Sequence, residues 1–203
     1  KAGVDKKIEG DQRTPLGIYF ITSNLDPKSL KDLYGSGALP INYPNALDVR
    51  RGRSGSGIWL HGTPSNQFSR APHATDGCVA VANPDLERII RTVEIRTTPV
   101  VISRNLKWVA PQSMSLEKAR FEEVLQSWTK AKSAGEFSQY SSFYAEDFTA
   151  DEKTQATHSA LKKASSAAAR TRSIKLIEIS LLQWAEESGL MVATFGEVIA
   201  GEK

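Results

Sequence analysis

The hydrophobic period of this 203-residue chain changes once, near residue 110, and that change constrains the fold more than any other feature. Before it, apolar residues come in short runs bounded by Gly and Pro: Gly17–Ile21, Gly57–Leu60 and Pro99–Ser103. Such runs read as strands, so the first half is expected to be mainly β. A single short helix is predicted from Asn83, where Asn caps, Pro84 suits the first turn and Asp85 and Glu87 favour the positive end of the dipole. It should end near Arg91–Val93. Arg104–Ser113 has no period and holds Pro111, which marks a linker.

From Ser115 the spacing becomes helical. Phe121, Val124, Leu125 and Trp128 fall on one face that Gly135 can terminate. Phe137, Tyr140, Phe143 and Tyr144 repeat the pattern in a shorter helix, and these aromatics are read as core. Thr149-Ala-Asp-Glu152 has the form of a capping box opening an Ala-rich helix to about Arg170. Ile174–Trp184 and Leu190–Ile199 read as strands of a hairpin joined through Glu186–Gly189. The expected organisation is a mainly-β domain over 1–110 and a smaller α+β domain over 111–203. Because a lone hairpin is marginal in water, further strands are expected after Lys203.

Charge and composition exclude some functions. The 26 Lys and Arg against 23 Asp and Glu are too even for a nucleic-acid reader, so no nucleic-acid partner is expected. No stretch of 18 apolar residues spans a bilayer, and no signal-peptide pattern opens the chain. One cysteine rules out an internal disulfide.

That cysteine lies in the most informative stretch. Ile58-Trp-Leu-His-Gly-Thr63 is followed by Ala74-Thr-Asp-Gly-Cys78, with His61 at the end of an apolar run and Cys78 in a turn-like segment. A free thiol is only a few per cent thiolate at neutral pH, so a nucleophilic cysteine needs a base, and an imidazole within hydrogen-bond reach supplies one. Gly77 lets the backbone turn tightly and aims the N–H groups of Gly77 and Cys78 at a common point, a candidate oxyanion hole. Thr75, Asp76 and Trp59 flank these residues and are substrate-binding candidates; Thr75 and Asp76 have turn capping as the alternative. Zinc through His61, His73, Asp76 and Cys78 has a poor metal signature, and no cofactor or metal is expected. Gly52–Gly57 precedes a strand and lacks the Lys-Ser/Thr ending of a phosphate loop, so it reads as a glycine-rich turn. His73 and His158 read as surface or packing residues.

His-Gly-Thr, then 17 residues from His61 to a Cys within Ser/Thr-x-Gly-Cys, resembles the L,D-transpeptidase catalytic domain (YkuD) family. Gly10-Asp-Gln-Arg-Thr-Pro-Leu-Gly17 resembles its Thr-Pro-x-Gly segment, and Leu39-Pro-Ile-Asn-Tyr-Pro-Asn45 its central loop. The likeness covers roughly residues 8–103. It implies an L,D-transpeptidase-like β-sandwich in which Cys78 attacks a stem-peptide carbonyl and expels D-alanine. It further implies His61 as base, Gly62 as the carbonyl orienting the imidazole and Gly77 as an oxyanion donor. Arg53 becomes a candidate for the carboxylates of diaminopimelate stems. Two positions depart from the family: Asp76 stands where most members have His, and Ala80 where most have Arg or Asn.

These departures resemble a subgroup whose catalytic domain precedes a nuclear transport factor two-like (NTF2-like, cystatin-like) domain, as in cell-shape-determining L,D-carboxypeptidases of helical bacteria. The resemblance implies peptidoglycan stem peptides as partner, a periplasmic location, N-terminal strands and a signal peptide ahead of Lys1, and a second domain that binds substrate or pairs into a homodimer. Two rivals follow from the same residues. One is a non-catalytic wall-binding or scaffolding protein with a decayed site. The other is a sortase-like transpeptidase using Arg91 or Arg96.

Overall fold

The computed structural model describes residues 3–145, 148, 172–187 and 190–201. The chain divides into two compact units, Lys1–Leu106 and Lys107–Lys203.

The first unit is built from short strands because turns interrupt every apolar run. Strand β1 is Gly17–Phe20, β2 Ala38–Pro40, β3 Trp59–His61, β4 Val79–Ala80 and β5 Pro99–Ile102. β1 pairs antiparallel with β5, while β3 lies between β2, antiparallel, and β4, parallel. Bridges Ile21↔Ile41 and Leu25↔Ala38 tie β1 to β2. Asn42 strengthens the seam: its N–H donates to the Phe20 carbonyl, and its side-chain oxygen accepts from the Phe20 N–H at 2.7 Å.

One core cluster gathers Tyr19, Ile41, Tyr43 and Ile58, and a second gathers Ile21, Leu39 and Leu86. Each of these buried side chains is worth roughly 2 kcal/mol against exposure. The expected strands at 17–21 and 99–103 are present, shortened by one residue; the strand expected at 57–60 is shifted to 59–61. β2 was not expected, and it overlaps the first two residues of the stretch, Leu39–Asn45, read as a central loop.

Two helices flank this core. α1, Ala46–Arg50, was not expected; Asn45 and Asp48 close a capping box at its start. α2, Asn83–Thr92, lies where a helix is predicted and buries Leu86 against the second cluster. Its N-cap is Ala82, not Asn83. The Asn83 amide is used elsewhere, as described below.

In the second unit α3 spans Ser115–Ala134 and stops at Gly135, whose φ of 71° is left-handed as a C-cap requires. Leu125 is buried on its inner face, whereas Val124 stays half exposed. α4 is Phe137–Ser141, shorter than the aromatic spacing suggests, and Phe143 is exposed beyond it. Trp128 Nε1 donates to Tyr144 Oη at 2.9 Å, and Tyr144 donates to Tyr140 Oη at 2.6 Å. These aromatics are core, with Tyr140 buried. Strands β6, Arg172–Gln183, and β7, Met191–Gly201, form an antiparallel pair with a bulge between Ile177 and Ser180. Lys132 of α3 pairs with Glu197 of β7 at 2.7 Å. The Ala-rich helix expected from Thr149, and His158 within it, lie outside the described residues.

Candidate active site

The site is assembled around the parallel pair β3–β4. Its register is Leu60↔Val79 and His61↔Ala80; strand alternation carried one residue beyond β4 puts Cys78 on the face of His61 and Ala80. Ordinary strand spacings make the diagonal from His61 to Cys78 about 8 Å between Cα atoms, a gap that the two side chains can bridge from one face.

His61 is 3% exposed, and its Nδ1–H donates to the Gly62 carbonyl at 2.7 Å. That bond fixes the tautomer, leaving Nε2 as the proton acceptor. The Tyr34 ring meets the imidazole edge-on at 5.3 Å and also packs on Trp59 at 5.1 Å. Burial lowers the imidazole pKa; the Gly62 bond opposes this and the charge of Arg70 adds to it. Burial therefore favours the neutral ring.

The segment after His61 is fixed by backbone contacts. Gly62 N–H donates to the Tyr34 carbonyl at 3.0 Å, and a Cβ on Gly62 would collide with the Asn83 side-chain oxygen and lie 3.0 Å from Ser36 N and Tyr34 O. Asn83 accepts from the N–H groups of Ser36 and Thr63 and donates to the Thr63 carbonyl. Sequence reasoning took this Asn for a helix cap, since Asn before Pro carries that signal.

Cys78 is half-buried and closes a turn in which the Thr75 hydroxyl donates to its carbonyl at 2.6 Å. Its thiol donates to the Gly57 carbonyl at 3.4 Å. Burial raises the thiol pKa, the Trp59 N–H lowers it and the carboxylate of exposed Asp76 raises it further. Gly77 is buried at a φ of 112°, and a Cβ there would sit 2.6 Å from the Arg13 carbonyl. Only glycine fits this turn.

Cys78 opens into a cleft of about 290 Å³ lined by Gln12, Thr14, Arg70, His73, Thr75 and Ala80 among others. Of the sequence candidates, Cys78 and Thr75 line the cleft, and His61, Trp59 and Gly62 stand on or beside the neighbouring strand. Arg53 does not line it. Its guanidinium is held by Asp48 at 3.5 Å and Asp5 at 3.3 Å. Arg70 and Tyr34 were not found from sequence; a cation between His61 and Cys78 was the available signal for Arg70. Among the described residues no cluster of three or more His, Cys, Asp or Glu could hold a metal ion.

Residues 2–102 match the family described as L,D-transpeptidase catalytic domain (YkuD), and residues 120–200 match the Cds6 C-terminal NTF2-like domain. The chain thus carries a YkuD L,D-transpeptidase domain followed by an NTF2-like domain. Among solved structures it is similar to the helical cell shape determining protein Pgp2 from Campylobacter jejuni. A single-residue variant of Pgp2 matches with 29% identity and a TM-score of 0.70, over 97% of this chain and 67% of that one. A second Pgp2 structure matches with 26% identity and a TM-score of 0.65, over 96% and 73%. Bd1075 of Bdellovibrio bacteriovorus matches with 25% identity and a TM-score of 0.66, over 94% and 73%. No curated protein matches the chain.

Proposed function

We propose that this protein trims peptidoglycan stem peptides as an L,D-carboxypeptidase, through a thioacyl intermediate on Cys78 with His61 as base. The observation that supports the reading is the β3–β4 register, which brings the strand of His61, its Nδ1 bonded to the Gly62 carbonyl, beside the strand that Cys78 leads into. In this mechanism the thiol turns from the Gly57 carbonyl to Nε2 of His61, gives up its proton and attacks the carbonyl of the third stem residue. The oxyanion is received by the N–H groups of Gly77 and Cys78, an arrangement worth roughly 3 kcal/mol per donor in the transition state. Imidazolium then protonates the departing D-alanine amine as the carbon–nitrogen bond breaks. Water, deprotonated by His61, cleaves the thioester and restores the thiol.

Similarity to cell-shape-determining Pgp2 supports trimming over cross-linking. Transfer to an amine would need an acceptor site that excludes water. The substrate places the enzyme in the periplasm, with the NTF2-like domain binding wall substrate or a second copy of the chain. Among the described residues no helix is long and apolar enough to cross a membrane.

A second reading, a wall-binding protein without catalysis, is favoured by the raised thiol pKa and the thiol's bond to Gly57. Intact-mass spectrometry after incubation with a carbapenem separates the two. Catalysis requires a covalent adduct on the full chain that disappears in Cys78→Ala, together with conversion of tetrapeptides to tripeptides in purified sacculi. An unmodified mass and unchanged sacculi leave only the binder.

A further inference from the structure

An exopeptidase must sense the end of its substrate, and a terminal carboxylate beside the scissile bond is what distinguishes the last residue from an internal one. A cation is the complementary group. In the Cys78 cleft, Arg70 is the sole permanently charged residue among the described lining residues, since the others are glycine, apolar, hydroxyl, amide or imidazole side chains and the thiol. It is half-buried, and its Nη2 donates to the Ala74 carbonyl at 3.4 Å, which ties the guanidinium to the loop that leads into Cys78. Among the described residues its guanidinium has no ion-pair partner. Its charge acts on His61, the residue paired with Ala80, which also lines the cleft. Val79 and Ala80 of the lining offer a substrate no side-chain charge.

We propose that Arg70 binds the C-terminal carboxylate of the leaving residue and so sets the preference of the Cys78 cleft for the end of a peptide. This rests on the L,D-carboxypeptidase reading above. One nitrogen of the guanidinium stays on the Ala74 carbonyl while the free edge of the fork takes the carboxylate. The contact positions the scissile carbonyl over Cys78 and leaves the thiol chemistry to His61.

The test uses the full chain with Cys78→Ala, so that binding is measured without turnover. The probes are the tetrapeptide L-Ala-γ-D-Glu-diaminopimelate-D-Ala as free acid, the same peptide amidated at its C-terminus, and the same peptide amidated only on the diaminopimelate side-chain carboxyl. Calorimetry should show that C-terminal amidation weakens binding about tenfold or more, and that side-chain amidation does not. Adding Arg70→Gln should weaken the free acid by a similar factor and erase its advantage over the C-terminal amide, with Arg70→Lys restoring part of it. Melting curves show whether each variant is folded, and Arg70→Lys serves if Arg70→Gln is not. The inference is overturned if the advantage survives without Arg70, if it follows the side-chain carboxyl, or if no tetrapeptide binds. Arg70-dependent discrimination in Cys78→Ala, alongside a native chain that releases no D-alanine, would sink the catalytic reading and leave this one standing.

Discussion

Asn83 grips Thr63 twice: its side-chain oxygen accepts from the Thr63 N–H at 3.1 Å and its Nδ2 donates to the Thr63 carbonyl at 2.9 Å. The same oxygen takes the Ser36 N–H at 3.0 Å, so one amide clamps the residues following β3 to the loop that carries Tyr34. Gly62 lies inside this clamp, and its carbonyl orients His61.

Asn83→Ala should therefore act at two levels. Thr63 is fully buried, and its N–H and carbonyl would lose their partner where water has little access, at a cost of about 3 kcal/mol in all. Urea titration measures this. On the proposed mechanism, the surviving folded fraction should show a lower kcat for tetrapeptide trimming with KM little changed, because the clamp supports the carbonyl that orients His61. An unchanged kcat would mean that the Gly62 carbonyl is held without Asn83.

Arg53 calls for the opposite expectation. Its side chain is 15% exposed between Asp48, at 5%, and Asp5. Removing it leaves Asp48 buried beside the Tyr19 hydroxyl with one cation fewer. Arg53→Ala should cost about 2 kcal/mol of stability or more, as breaking a buried pair does, and leave KM for tetrapeptide near the native value. A stable variant with a much raised KM would return Arg53 to the substrate site.

The contrast between Arg53 and Arg70 shows what the chain discloses as a string and what it does not. The thiol, the imidazole and the glycines next to them stand out as candidates in the string because the chemistry proposed for them depends on residue type and short spacing, and the local geometry at two of them follows: Gly77 turns at positive φ, and Gly62 presents its carbonyl to the ring of its own neighbour. Which arginine lines the cleft at Cys78 depends on the path of a loop, and both are cations near motif residues. Arg53 lost its candidacy to two acids, one 5 and the other 48 residues away, a pairing with no local signature. At the level of fold, the change of period near residue 110 was readable because helices and strands impose different spacings. β2 and α1 were hidden because three to five residues are too few to show a period, and α1 is set by the Asn45–Asp48 capping box.

The protonation states of the pair give a final prediction. Burial lowers the His61 pKa and raises the Cys78 pKa, so near neutrality the resting pair is imidazole and thiol, not imidazolium and thiolate. Iodoacetamide reacts with the thiolate, so the midpoint of its pH–rate profile should lie above that of an ordinary thiol. Asp76→Asn removes a nearby negative charge and should move that midpoint down. It should not reach the ordinary value, because burial is the larger cause and remains. Trimming should behave differently, since a general base needs only neutral imidazole: kcat/KM should fall in acid as His61 protonates below about 6.5, and hold through neutral pH. Stability follows the same sign. A histidine whose folded pKa is depressed favours the folded state above its unfolded value, and that contribution is lost as pH falls from about 6.5 toward the folded pKa. A thiol titrating at or below the ordinary value would show instead that the imidazole already holds its proton in the resting enzyme.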